Sequence, residues 1–248
     1  MVMMKDLERR IAAAVRHFWR TRTRQRKQQG TRTGKRDSGN RTAATGGKQL
    51  DGFTELIADL LVERGLPESV IFRSGREDLT LPGFFRPTKQ WDLIVVAGDS
   101  LLAAVEFKSL CGPSFGNNYN NRVEEAIGNS TDLWTAYREG AFQTSPRPFL
   151  GYLMLLEEAE ASTRPVAVHE KHFQVFADYR EASYANRCEE SVRRLMRERC
   201  YDAACLLLSS KPTGARARAG YSEPARDLAF KHFAKLLCNH VLGAHDAL

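Results

Sequence analysis

The chain has 248 residues, 42% of them hydrophobic and 27% charged, enough for one sizeable domain with an appended arm and too apolar for a disordered chain. No apolar run reaches bilayer length, and Lys5, Asp6, Glu8, Arg9 and Arg10 interrupt any secretory leader, so a cytoplasmic protein without a membrane segment is expected. The net charge of +7 is uneven: residues 1–48 hold fourteen Lys or Arg against three acids, or +11, which leaves −4 on residues 49–248.

That division gives a basic helical arm and loop over 1–48 and a main domain over 49–248. The arm suits a phosphate backbone; a solvated tail without a ligand is the plainer alternative. Leu7, Ile11, Ala14, Val15 and Phe18 recur at helical spacing and predict a helix over 5–28. Residues 30–47, rich in Gly, Thr, Ser and Asn, read as a loop. Its Thr45-Gly46-Gly47-Lys48 run is not a phosphate-binding P-loop, because Gln49 replaces the Ser or Thr that motif requires. A second amphipathic helix is expected over 52–64, carrying Glu55 beside its apolar stripe. Residues 70–73 read as a short strand, and 79–87, punctuated by Pro82 and Pro87, as a connecting or edge segment.

Two apolar runs of strand length follow, 93–96 and 101–105, separated by the turn-like Ala97-Gly98-Asp99-Ser100. A three-residue loop, 98–100, places Asp92 directly opposite Glu106, and period-two alternation puts Lys108 on the same face. Two hard carboxylates with a lysine beside them suit a divalent cation and metal-assisted phosphodiester hydrolysis. A Glu-x-Lys triplet alone arises by chance roughly once in a chain of this length; the apolar context is what raises its weight. Beyond it, 112–121 reads as a loop, 122–139 as a helix carrying Val123, Ile127, Leu133, Trp134 and Tyr137, and 149–156 as a buried strand. Helices over 182–199 and 224–242 flank an apolar strand or helix at 203–208. The order describes an α/β/α sandwich around a mixed sheet. Five cysteines without a C-x-x-C pair read as reduced thiols. His169 and His172 could hold a metal, but no third ligand stands near them and a surface reading is preferred.

This arrangement of helix, strands, Asp, Glu-x-Lys, helix and strand resembles the PD-(D/E)XK nuclease core. More narrowly, several runs resemble the XhoI-type family of type II restriction endonucleases. They include Thr45-Gly46-Gly47-Lys48-Gln49, the stretch from Leu81 through Lys89, Trp91-Asp92, Glu106-Phe107-Lys108-Ser109, Gly112 through Asn118, and Asp132-Leu133-Trp134. The likeness is dense over 45–157 and thinner in the flanks. It implies Mg²⁺-dependent cleavage of double-stranded DNA at the palindrome CTCGAG, leaving 5′-phosphates and 5′ overhangs. It also implies a homodimer, and a cognate DNA methyltransferase in the host. Asp92 and Glu106 match the metal-binding carboxylates and Lys108 the catalytic lysine; Trp91 stands where the superfamily's name has proline. Some members use a further acid on the first helix, for which Glu55 is the candidate; an ordinary surface glutamate is the alternative.

Base readout asks for Arg or Lys on guanine and Asn or Gln on adenine. Arg86 and Lys89 before the hairpin, and Asn117, Asn118, Asn120, Asn121 and Arg122 after it, supply these types; clustered Asn also suits a plain turn. Arg122 and part of the Asn cluster are expected on bases, Arg86 and Lys89 on bases or phosphates. The rivals are a structure-selective or repair nuclease of the same fold, a catalytically inactive DNA-binding protein, and an RNA-binding protein using the basic arm.

Overall fold

The computed structural model describes residues 3–33, 43–73, 79–212 and 220–248, with side chains of the first two segments described over 6–26 and from 48 onward. Its centre is a five-stranded mixed sheet in the order β1-β4-β5-β6-β7. The strands are β1 (Ile71–Arg73), β4 (Leu93–Ala97), β5 (Ser100–Leu110), β6 (Phe149–Glu158) and β7 (Ala203–Ser210); β1, β4 and β5 run antiparallel, and β5, β6 and β7 parallel. β2 (Thr80–Pro82) and β3 (Thr88–Gln90) form a separate two-stranded hairpin. The parallel strands demand crossovers, and the helices α3 (Phe115–Arg138) and α5 (Tyr184–Arg197), with the single turn α4 (Glu160–Thr163), supply them.

The apolar strands are covered on both faces. Ala103, Val105 and Phe107 of β5 join a core with α1 (Met3–Thr33), α2 (Ala43–Glu63) and α6 (Phe230–His245). Ala104 and Leu110 join the opposite core with Phe115, Ala126 and Leu133 of α3 and Val192 of α5. This is the α/β/α sandwich expected, a restriction-endonuclease-like fold. The helix of the basic arm contributes to the first core: Ile11, Val15, Phe18 and Trp19 are buried against it, and Trp19 Nε1 donates to Ser209 Oγ at 2.9 Å. Lys5, Lys27, Arg32, Lys35, Arg36 and Arg41, six of the fourteen basic residues of the arm, have side chains outside the described residues.

Three expectations are corrected. Thr45 to Lys48 lies in α2, not in a loop; Gly46 and Gly47 do not stop a helix whose following turns are held by buried Phe53, Leu56, Ile57 and Leu61. The Asn-rich run 117–121 lies within the first turns of α3, not in a loop, because Phe115 and Tyr119 bury a helical stripe. The plain-turn alternative for those asparagines goes with it. Finally, Ala97 pairs with Ser100 across a two-residue turn in which Gly98 takes φ of 56°. A β-bulge between Val95 and Val96 restores the residue that the shorter turn removes, so Leu93 still faces Val105. Residues 203–208, left open between strand and helix, are strand, and 79–90 forms a hairpin rather than a bare connection.

Candidate active site

Leu93 opposite Val105 puts Asp92 opposite Glu106, at the point where β4 begins and β5 runs on beneath α3. Glu106 and Lys108 alternate with Val105 and Phe107, so they face α3 rather than α1 and α2. Asp92 Oδ2 accepts from the Phe107 N–H at 2.7 Å. Lys108 Nζ lies 2.7 Å from Glu106 Oε1, and Lys89 Nζ 3.5 Å from the same oxygen. Lys89 is therefore inside the site, its ammonium 4.0 Å above the Trp91 ring, rather than on an open surface.

One face of α3 lines the whole site. Asn118 Nδ2 donates to the Cys111 carbonyl at 3.4 Å, and Arg122 Nε to the Ser109 carbonyl at 3.2 Å. Glu125 lies 3.6 Å from Lys108 Nζ, and Asn129 Nδ2 donates to both oxygens of Glu106 at 2.7 and 2.8 Å. Spacings of four, three and four residues keep these side chains on one stripe, running along β5. One turn further, buried Asp132 accepts from the Phe84 and Phe85 N–H groups, both at 2.8 Å, and from Arg86 Nε at 2.7 Å. Arg86 Nη2 also donates to Asn129 Oδ1 at 2.5 Å. Behind Glu106, the Tyr201 hydroxyl stands 3.2 Å from Oε2 and 3.1 Å from the Ala126 carbonyl, with one proton to donate. Tyr152, beside Glu106 in the β5–β6 register, is fully buried.

The two carboxylates are tuned in opposite directions. Complete burial pushes Glu106 up, but the Lys108 and Lys89 charges and the hydrogen bonds from Lys108 and Asn129 outweigh it and hold it at about 2. Burial also pushes Asp92 up; the Phe107 N–H opposes this, the Glu106 charge adds to it, and the net displacement is upward. For Lys108, burial is outweighed by Glu106 and its pKa rises, whereas for Lys89 burial prevails and its pKa falls. Ionised Asp92 is thus the under-compensated charge of the site. No group of three or more His, Cys, Asp or Glu side chains gathers among the described residues. A donor set of two carboxylates, one lacking its counter-charge, fits a divalent cation that keeps waters or takes phosphate oxygens as its remaining ligands.

Glu55 is not brought to this cluster. Its Oε2 accepts from Arg73 Nε at 3.0 Å, and Arg73 sits opposite Leu93, whose face of the sheet looks towards α1 and α2. Of the expected DNA-contacting residues, Asn117 and Asn120 are exposed and Asn121 partly so; Asn118 and Arg122 are partly buried along the site stripe, and Arg86 is tied to Asp132. Arg122 Nη1 also meets Glu125 Oε2 at 2.5 Å. His169 and His172 are exposed. Asn129, Asp132, Tyr152 and Tyr201 were not among the sequence candidates.

The profile of the family described as restriction endonuclease XhoI matches residues 27–222. The chain belongs to that family. It is 50% identical to the type II restriction enzyme BstVI of Geobacillus stearothermophilus over 211 residues, covering 83% of this chain and 92% of the relative. It is 50% identical to AbrI of Azospirillum brasilense over 171 residues (69% and 76%). It is 43% identical to XhoI of Xanthomonas vasicola over 193 residues (78% and 77%). Type II restriction enzymes are site-specific deoxyribonucleases, so the substrate is DNA. No solved structure matches the chain. Among the described residues no helix is long and apolar enough to cross a membrane.

Proposed function

We propose that this enzyme hydrolyses both strands of double-stranded DNA at CTCGAG, with Mg²⁺ held by Asp92 and Glu106, leaving 5′-phosphates and 5′ overhangs. The observation that carries the reaction is Asp92 opposite Glu106 with Lys108 Nζ 2.7 Å from the latter. The target rests on likeness to relatives at 43–50% identity and on the Arg, Lys and Asn side chains around the site. A bound divalent cation would supply Lewis-acid polarisation of the scissile phosphate and an acidified water. Lys108, raised in pKa and therefore protonated, orients and neutralises developing negative charge. Asn129 and Tyr201 fix the Glu106 carboxylate, and Lys89 adds a second cation to the same pocket. Arg122, with Asn117, Asn120 and Asn121, faces the bases; Arg86 positions the β2–β3 tip. Glu55 has no part in the chemistry on this reading, being held by Arg73.

A palindromic site presents one half-site to each of two subunits, so the working form is a two-fold homodimer. A host carrying it needs a methyltransferase that protects CTCGAG in its own DNA, and both enzymes would act in the cytoplasm. Digestion of a long DNA of known sequence with Mg²⁺, followed by sequencing of the fragment ends, tests the proposal. Every end should fall within CTCGAG. Ends at junctions or flaps irrespective of sequence would support the structure-selective rival; no cutting would support the inactive DNA-binding rival.

A further inference from the structure

We propose that Phe84 and Phe85, at the tip of the β2–β3 hairpin, form a wedge that enters the base stack of the bound duplex; this rests on the reading of the chain as a CTCGAG nuclease. The two rings are 51% and 70% exposed and meet edge to face with centroids 5.0 Å apart. Other large apolar residues of this region, Leu79, Leu81 and Trp91, are buried in the core under α3. Of these side chains only the two tip rings are presented to water, and the backbone that carries them is anchored. Both tip N–H groups are fixed on the buried carboxylate of Asp132. Gly83 has no room for a side chain, since a Cβ there would stand 2.6 Å from both the Arg86 carbonyl and Asp132 Oδ2. An aromatic pair held out into solvent on an anchored backbone is suited to insertion, because little backbone freedom remains to be lost on contact.

The place of the tip selects the occupant. Asp132 receives Arg86, Arg86 donates to Asn129, and Asn129 donates to Glu106. Two side chains, Arg86 and Asn129, link the carboxylate that fixes the tip to the catalytic carboxylate, so a duplex whose phosphate reaches Glu106 must run beside the tip. Arg86, 43% exposed next to the rings, supplies positive charge for the flanking phosphates. Apolar wedges of this type unstack a base step and kink the duplex, which reads sequence through deformability as well as through base edges. A second copy of the chain at this place would obstruct the site.

The test uses the full-length protein and a set of CTCGAG duplexes carrying 2-aminopurine in place of the adenine of the site or of an adenine flanking it, bound in Ca²⁺ and, in parallel, cut in Mg²⁺. The wild-type chain should raise the fluorescence several-fold at one step. Phe85→Ala should lose that rise and bind roughly 5- to 150-fold more weakly, the loss of one base–aromatic stack. Phe85→Trp and the control Phe173→Ala, at an exposed ring outside this network, should keep the rise. Binding and cutting by the wild type with no rise at any position would overturn the wedge alone. So would a Phe85→Ala variant that keeps the rise but no longer dimerises, which would assign the rings to a second copy. Failure of the wild type to bind or cut any of the duplexes would overturn the CTCGAG reading and the wedge with it.

Discussion

The side-chain amide of Asn129 donates to both oxygens of Glu106, at 2.7 and 2.8 Å, while its carbonyl accepts from Arg86 at 2.5 Å. The two partners fix its orientation, since a flipped amide would set carbonyl against carboxylate and NH₂ against guanidinium. Asn129 is therefore a positioning residue: it aims a fully buried carboxylate whose other neighbours are two lysines and a tyrosine hydroxyl.

Replacing Asn129 by Ala should lower the single-turnover cleavage rate roughly 10–100-fold, as loss of a ligand-orienting partner does, with little change in DNA affinity. The buried carboxylate also loses two donors, a stability cost of about 1–3 kcal/mol. Asn129→Asp sets like charges against each other and should be worse in rate and melting temperature. Equal rates for Asn129→Ala and wild type would remove the positioning role.

Asp92 makes the opposite demand. Its pKa is raised by burial and by the charge of Glu106, so folding makes its carboxylate harder to ionise than in the unfolded chain. The stability it contributes is present below its ordinary value of 3.8 and is lost as pH rises through the raised folded value. Near neutral pH in chelator, Asp92→Asn should therefore melt higher than wild type, and the gap should close as pH falls below about 4. Added Mg²⁺ should raise the melting temperature of the wild type and not of the variant. Thermal melts across that pH range check both.

Asp132 carries the reverse sign. Burial pushes its pKa up, but the Phe85 N–H, Arg86 and the Phe84 N–H outweigh it, and the net shift is downward from 3.8. Its stabilising contribution is complete above that ordinary value and disappears as pH falls through the depressed folded value. Asp132→Asn should cost most stability near pH 7, and the cost should shrink progressively as pH falls below 3.8, measured by denaturant titration at each pH.

Lys89 distinguishes a buried cation from a surface phosphate contact. With its side chain only 11% exposed and Glu106 3.5 Å away, Lys89→Met should lower the cleavage rate while leaving the salt dependence of DNA binding nearly unchanged. A reduced salt slope with an intact rate would place it on the DNA backbone instead.

The sequence carried the sheet and the pairing of the two carboxylates more fully than the surroundings of the candidate site. Apolar runs at 93–96 and 101–105 announced covered strands, and the opposition of Asp92 and Glu106 followed even though the turn is one residue shorter than expected and the bulge was not expected, because their two one-residue effects cancel. The first turns of α3 were hidden by glycine and asparagine, which favour turns locally but here are overruled by burial of Phe115 and Tyr119. The same helix was read through its apolar residues, yet Ile127 is 47% exposed. The signal missed was polar: Asn118, Arg122, Glu125, Asn129 and Asp132 repeat at helical spacing and face the active site. Tyr201 meets Glu106, and Tyr152 comes beside it in register, only through the parallel β5-β6-β7 arrangement, which no local pattern reveals.

The central claim is that Asp92 and Glu106 work as one site on a defined DNA sequence. A plasmid with a single CTCGAG, incubated in Mg²⁺ with the wild type, Asp92→Asn or Glu106→Gln, tests it most directly, with binding to the same plasmid measured in Ca²⁺. The account predicts one linear product from the wild type, and loss of cutting with retained binding in both variants. Cutting that survives either substitution would contradict it, as would a wild type that binds this plasmid and leaves it intact in Mg²⁺.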